Sequence, residues 1–235
     1  ARTAARGLVP GNWRRTMRAE FASALYQIGL RAVPAVAVAA LLVGLGLVLQ
    51  LIYWLSFAGE EERIGEFLVV TLVREIAPIG AALIIIGRSG SVLVDEVGTM
   101  RRDGQIDLLR SCGVDPVDFI TIPRASACAV AAFLLTMVFM QVALWAAYLA
   151  ASTTGIGTLS PLELIGEVLG LMSFEDHLLL LVKPLLMGYA IGYLSITFGL
   201  NVAPGVHGIR RALPKAFVAS LVAATALSAL VSVAL

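Results

Sequence analysis

The chain has 235 residues, of which 59% are hydrophobic and only 14% charged, with a formal net charge of +1 and a mean hydropathy of +0.92. A soluble domain would carry about 25% charged residues, so a soluble fold is excluded. The near-zero net charge gives no ground for nucleic-acid binding; where the charges sit matters more than their sum.

Apolar runs of 18 or more residues recur, which predicts a polytopic membrane protein. Backbone groups in a bilayer must pair within their own segment, and runs rich in Ala, Leu, Val and Gly do so as helices, not as a barrel. The predicted fold class is therefore all-α, a single domain over 1–235 with no internal repeat. Ala1 stands where a Met would start a chain, so a longer natural N-terminus is expected. Residues 1–20 are Arg-rich without an apolar core, and no cleavable signal peptide is expected.

Residues 1–31 hold six arginines, Arg2, Arg6, Arg14, Arg15, Arg18 and Arg31, interleaved with Trp13, Phe21, Leu25, Tyr26 and Ile28. This predicts an amphipathic helix lying on the membrane interface, against the alternative of a disordered basic tail. Span 1 is predicted at 33–57, with Gly44 and Gly46 allowing close helix contact. An acidic turn, Gly59–Glu66, leads to span 2 at 67–94. Span 3 is predicted at 120–151, span 4 at 178–200 and span 5 at 216–235. The outer loop 152–177 contains a short helix starting at Ser160-Pro161 and ending near Met172.

Between spans 2 and 3 lies the longest charged stretch, 95–118, with Asp95, Glu96, Arg101, Arg102, Asp103, Asp107, Arg110, Asp115 and Asp118. Residues 99–112 read as a short surface helix, with Thr99 or Asp103 as N-cap and Gly113 ending it in the left-handed conformation. Asp115-Pro116 starts the next helix. The bland alternative is a solvated connecting loop.

Orientation follows from Lys and Arg. The N-terminal segment has six, the 88–124 region five and the 201–215 loop three, whereas the two remaining loops have only Arg63 among eight acids. Fourteen against one predicts a cytoplasmic N-terminus, a cytoplasmic 95–118 segment and an outward C-terminus.

Three charges fall inside spans: Arg74, Glu75 and Lys183. A charge at mid-membrane costs a few kcal/mol even on the lenient insertion scale. Arg74 lies eight residues past Glu66, roughly 12 Å, and Lys183 seven past Asp176, roughly 10 Å, so they share a depth. A Glu75–Lys183 pair would leave Arg74 for an anion such as phosphate. Pro78 frees a backbone carbonyl nearby. A cavity lining and a purely structural ion pair both remain open.

Other signals lead nowhere. LIIIGRSGS at 83–91 lacks the Lys-Ser/Thr ending of a P-loop and the third glycine of a dinucleotide site. GSVLVDEVGTMRR at 90–102 resembles a major-facilitator loop, but twelve spans would be expected there. His177, His207, Cys112 and Cys128 form no ligand cluster, and no nucleophile has a base at readable spacing.

Residues 107–123, with Asp107, Gly113 and Ile120-Thr-Ile-Pro123, loosely resemble the EAA loop of ABC import permeases. The match to the MlaE/YrbE permease family is closer, through LVREIAPIGAAL (72–83), GRSGS (87–91), DEVGTM (95–100), QIDLLRSCGVDP (105–116) and IPR (122–124). The resemblance covers roughly residues 20–235. It implies the membrane subunit of an ABC transporter that moves lipid between the inner membrane of a bacterial cell and a periplasmic MCE-domain protein. It implies a second permease copy and a cytoplasmic ABC ATPase in the assembly, with ATP and Mg expected on that ATPase and no cofactor expected in this chain. The resemblance also implies that 95–118 is a coupling helix seated on the ATPase, with Glu96, Arg101, Arg102, Asp103, Gln105, Asp107 and Arg110 as contacts. Arg74 and Glu75 match the family's REIGP motif and Lys183 a basic position in the fourth span; with Leu47, Gln50 and Leu55 they are the implied lipid-binding residues. The competing readings are a non-transporting scaffold for an MCE protein and an ATPase, and an ion or proton channel built on Glu75 and Lys183.

Overall fold

A computed structural model describes residues 15–59, 64–113, 115, 117–154, 161–202 and 208–234. Those residues are helical nearly throughout, with no strand among them. Five helical runs are long and apolar enough to cross a membrane: Met17–Ala58, Gly65–Arg102, Phe119–Ser152, Phe174–Leu200 and Gly208–Ala234.

Helix α1 (Arg15–Ile28) is followed by a single 3-10 turn at Leu30–Ala32 and then by α2 (Val33–Ala58). Pro34 sits in the first turn of α2, where its missing N–H costs nothing. Gly59, with φ 72°, closes α2. The predicted interfacial segment thus contains a helix at 15–28, while residues 1–14 lie outside the described residues. Helix α1 packs along the third span.

The second span has five helical segments in series: α3 (Ile64–Leu68), a π-helical segment (Val69–Ile76), α4 (Ala77–Ile84), a second π-helical segment (Ile85–Gly90) and α5 (Ser91–Arg102). It runs eight residues beyond the predicted end at 94. The predicted break at Thr99 is absent, because nothing from 91 to 102 interrupts the ladder. The chain turns instead at Asp103-Gly104. Gly104 has φ 75°, a conformation a Cβ penalises, and it stands as the N-cap of α6 (Gln105–Ser111) in place of Thr99 or Asp103. Gly113, with φ 74°, ends this helix region as expected.

A π-helical turn (Val117–Thr121) enters α7 (Ile122–Thr154), and the carbonyl of Asp115 accepts from the Phe119 N–H at 3.1 Å. The outer connection carries α8 (Pro161–Leu171), close to the predicted short helix. Helix α9 (Phe174–Leu200) forms span 4, and α10 (Gly208–Ala234) forms span 5. Span 5 starts eight residues before the predicted 216: Arg210, Arg211 and Lys215 lie on its first turns, which Pro214 does not break.

Helix α7 is the hub, packed by α1, α2, α4 and α9. Small residues make this possible. The buried stripe of α2 repeats every three or four residues, Val36, Ala40, Gly44, Val48, Ile52 and Leu55, the spacing of one helix face. A Cβ on Gly44 would stand 2.7 Å from the Ala143 carbonyl oxygen, and one on Gly188 2.6 Å from that of Cys128. Apolar side chains gain little from leaving lipid for protein, so this backbone proximity and its dispersion energy hold the bundle.

Candidate functional site

The three intramembrane charges meet at one end of the bundle. Lys183 is almost fully buried at 1% side-chain exposure. Its ammonium donates to the Arg74 carbonyl at 2.7 Å and to the Ser232 hydroxyl at 2.8 Å, and lies 2.9 Å from Glu75 Oε1. Those are its three donors used. Ser232 donates in turn to Glu75 Oε1 at 2.7 Å. Spans 2, 4 and 5 are tied together by these contacts.

The Arg74 carbonyl is open to Lys183 for a reason written in the sequence. Pro78, four residues on, brings no N–H to the α-type bond this carbonyl could otherwise accept where the π-helical segment gives way to α4. Arg74 and Glu75 also sit in the π-helical segment Val69–Ile76, and such segments recur at functional sites.

The expected Glu75–Lys183 pair is present. Arg74 is not left unpaired as expected: its Nε pairs with Asp176 Oδ1, while its side chain stays 38% exposed. Asp176 does two jobs. Its other oxygen accepts from the Ser173 N–H at 2.8 Å while the Ser173 hydroxyl accepts from the Asp176 N–H at 3.3 Å, a capping box that starts α9. The signal was legible as Ser173-x-x-Asp176, and it placed Asp176 in the first turn of span 4 instead of in an acidic loop. Ser232 carried no signal; it is one small polar residue in an apolar run.

Exposure separates these groups. Lys183 and Asp176 are buried, whereas the side chains of Arg74 and Glu75 are 38% and 43% exposed. The cluster therefore shows the outside of the protomer one carboxylate and one guanidinium, each backed by a buried partner of opposite sign.

The other implied lipid-binding residues divide. Gln50 is exposed and Leu47 half-buried on α2. Leu55 is a correction: it belongs to the buried stripe of α2 and packs inside the chain.

The coupling residues also divide. Gln105, Asp107 and Arg110 on α6 are exposed, as are Arg102 and Asp103 just before it, and Arg101 is half-buried. Arg102 donates to Asp103 at 3.2 Å and Arg110 to Asp107 at 3.3 Å; exposed pairs of this kind contribute about 0–1 kcal/mol each and leave the surface free for a partner. Ile106 anchors α6 by sinking completely into a cluster with Val97, Ile120 and Ile196, while Leu108 points out. Glu96 on α5 is part-exposed, and its carboxylate accepts from Arg124 at 3.1 Å. Arg124, buried in the first turn of α7, also donates to Glu20 of α1 at 3.3 Å. Sequence reasoning had counted Arg124 only as a cytoplasmic charge.

These features coincide with a family pattern. The model of the family described as Permease MlaE matches residues 21–234. The chain belongs to the MlaE permease family. It is 30% identical over 181 residues to a probable ABC transporter permease protein of Synechocystis, covering 77% of this chain and 68% of that one. To the protein TRIGALACTOSYLDIACYLGLYCEROL 1, chloroplastic, of Arabidopsis thaliana it is 27% identical over 212 residues, 90% of this chain and 58% of that one. To a probable ABC transporter permease protein of Rickettsia typhi it is 29% identical over 201 residues, 82% of this chain and 74% of that one. A permease of this family is a membrane-embedded subunit, in keeping with the five apolar helices.

Proposed function

We propose that the chain is the membrane subunit of an ABC transporter that carries a lipid between the bacterial inner membrane and a periplasmic MCE-domain protein, and that Arg74 and Glu75, held in place by the buried Lys183, handle the lipid headgroup. One observation carries this reading: two charged side chains, Arg74 and Glu75, stand half-exposed on the outside of an apolar span. Bare hydrocarbon would penalise that by a few kcal/mol per charge. A second permease copy enclosing a wet, lipid-holding hollow against this face removes the penalty. The name of the Arabidopsis relative contains a glycolipid, trigalactosyldiacylglycerol, which supports a lipid cargo.

The mechanism follows from the layout. ATP and Mg act on the partner ATPase, whose closure pushes on α6. That helix is short, turned by Gly104 and pinned by Ile106, so it moves as one piece with α5 and the inner end of α7. The second span then conveys the push along its length to Arg74 and Glu75. Apolar walls, with Leu47 and Gln50 on α2, receive the acyl chains. The basic end, with α1 and α6, faces the cytoplasm in this reading and the C-terminus faces the periplasm.

The test is lipid retention by the purified complex. Replacing Arg74 with Gln leaves Asp176 capped by Ser173 but removes the exposed cation. The bound phospholipid counted per complex drops several-fold while the subunits still co-purify. Retention equal to wild type would place the headgroup elsewhere.

A further inference from the structure

A second charged hollow lies at the opposite end of the bundle, between α1, the second π-helical segment and α5. Its volume is about 120 Å³. One water takes about 30 Å³ of liquid volume, so a phosphate-sized group fits. Arg31, Arg88 and Arg124 line it, with Glu20, Glu96 and Ser89.

The charges are not equivalent. Arg124 is spent: it donates to both Glu96 and Glu20, which holds the two carboxylates against it. Ser89 donates to the Ile28 carbonyl at 3.5 Å. Arg88 and Arg31 make no ion pair with any described residue. Arg31 rests over the Tyr26 ring, 5.8 Å from its centroid, which positions the guanidinium without neutralising it. The segments carrying Arg31 and Arg88 pack on each other. Three guanidiniums thus face two carboxylates, and both surplus donors belong to residues whose planar forks match phosphate oxygens.

The rim is apolar. Val92 lines the hollow and is half-exposed, and Tyr26 and Leu30 stand exposed beside Arg31. Cations inside and hydrocarbon at the rim are the profile of a group that is anionic at one end and greasy at the other.

We propose that Arg31 and Arg88 form a phosphate-binding site between α1 and the second span, separate from the Arg74–Glu75–Lys183 cluster, which takes the phosphate of an anionic phospholipid or free phosphate. The site ties the N-terminal helix to the span beside Arg124 and stands whether or not the cargo is a lipid.

The test uses the full chain in its complex, in phosphatidylcholine nanodiscs. Two probes are titrated separately: phosphatidylglycerol, read by native mass spectrometry, and inorganic phosphate, read by calorimetry. Wild type and K215Q, which removes an exposed cation at the same end, bind alike. R31Q/R88Q binds at least about tenfold more weakly, and R31K/R88K, which keeps charge but loses the forks, falls between. Loss in R31Q/R88Q but not in K215Q separates the site from the general positive charge of that end. Phosphatidylglycerol alone responding assigns a lipid headgroup, and phosphate alone assigns a free anion. If R31Q/R88Q does not assemble, weakening in R31K/R88K carries the test. Equal affinity in wild type and the Arg31/Arg88 variants, or no binding of either probe to wild type, overturns the site.

Discussion

Replacing Lys183 with Met tests the polar cluster most sharply. Met keeps the length and fits an apolar helix, so what is lost is the ammonium and its three contacts: the Arg74 carbonyl, the Ser232 hydroxyl and Glu75 Oε1. Removing one partner of a fully buried ion pair costs about 3–5 kcal/mol, and a hydrogen bond to a charged group contributes about 1.5–3 kcal/mol. Glu75 is not fully buried: its side chain is 43% exposed and keeps the Ser232 hydroxyl. That exposure relieves part of the penalty, so the expected loss is about 2–3 kcal/mol. Pairing Lys183→Met with Glu75→Gln removes the stranded charge, so the double variant is less destabilised than the sum of the two by at least about 1 kcal/mol. The assay is equilibrium unfolding of the protein in bilayer-like micelles, followed by tryptophan fluorescence. A Lys183→Met change within about 0.5 kcal/mol of wild type, or strict additivity with Glu75→Gln, would refute the reasoning.

Three further outcomes follow from the packing and the coupling segment. Gly188→Ala drives a Cβ against the Cys128 carbonyl and the Ala132 methyl and costs about 1–3 kcal/mol, whereas Gly46→Ala, which meets nothing within 4 Å, is neutral in the same melt. Arg124→Gln strands Glu20 and Glu96; both are part-exposed, so the global loss stays near 1 kcal/mol, but hydrogen exchange over 15–28 rises as α1 loosens. Reversing the charges of Arg101 and Arg102 leaves ATP hydrolysis in the assembled complex but lowers the lipid moved per ATP; normal coupled turnover would remove these residues from the coupling surface.

Much of the architecture was legible because membrane helices obey few rules. Length, apolar content and absent water forced five helices, and equal rise per residue put Glu75 beside Lys183. The failures have local causes. Helical continuity through 95–102 was not legible because charge marks the end of a membrane span, not of a helix; the backbone turns only at Gly104, with its φ of 75°. Asp176 was assigned to a loop because its acidity outweighed the Ser173-x-x-Asp176 capping pattern. The Glu96–Arg124 contact was not legible because the two lie 28 residues apart in sequence, and no local spacing reveals such a contact. Leu55 followed the same course: its face is set by the packing of α2 against α7, not by its own neighbours.

The most direct measurement of the central claim is ATP-driven movement of a labelled phospholipid in proteoliposomes holding the permease, its ATPase and an MCE-domain acceptor. The account predicts transfer that requires ATP and falls at least about tenfold in Lys183→Met with hydrolysis retained. Full ATP turnover with no lipid moved by the wild-type complex would contradict it.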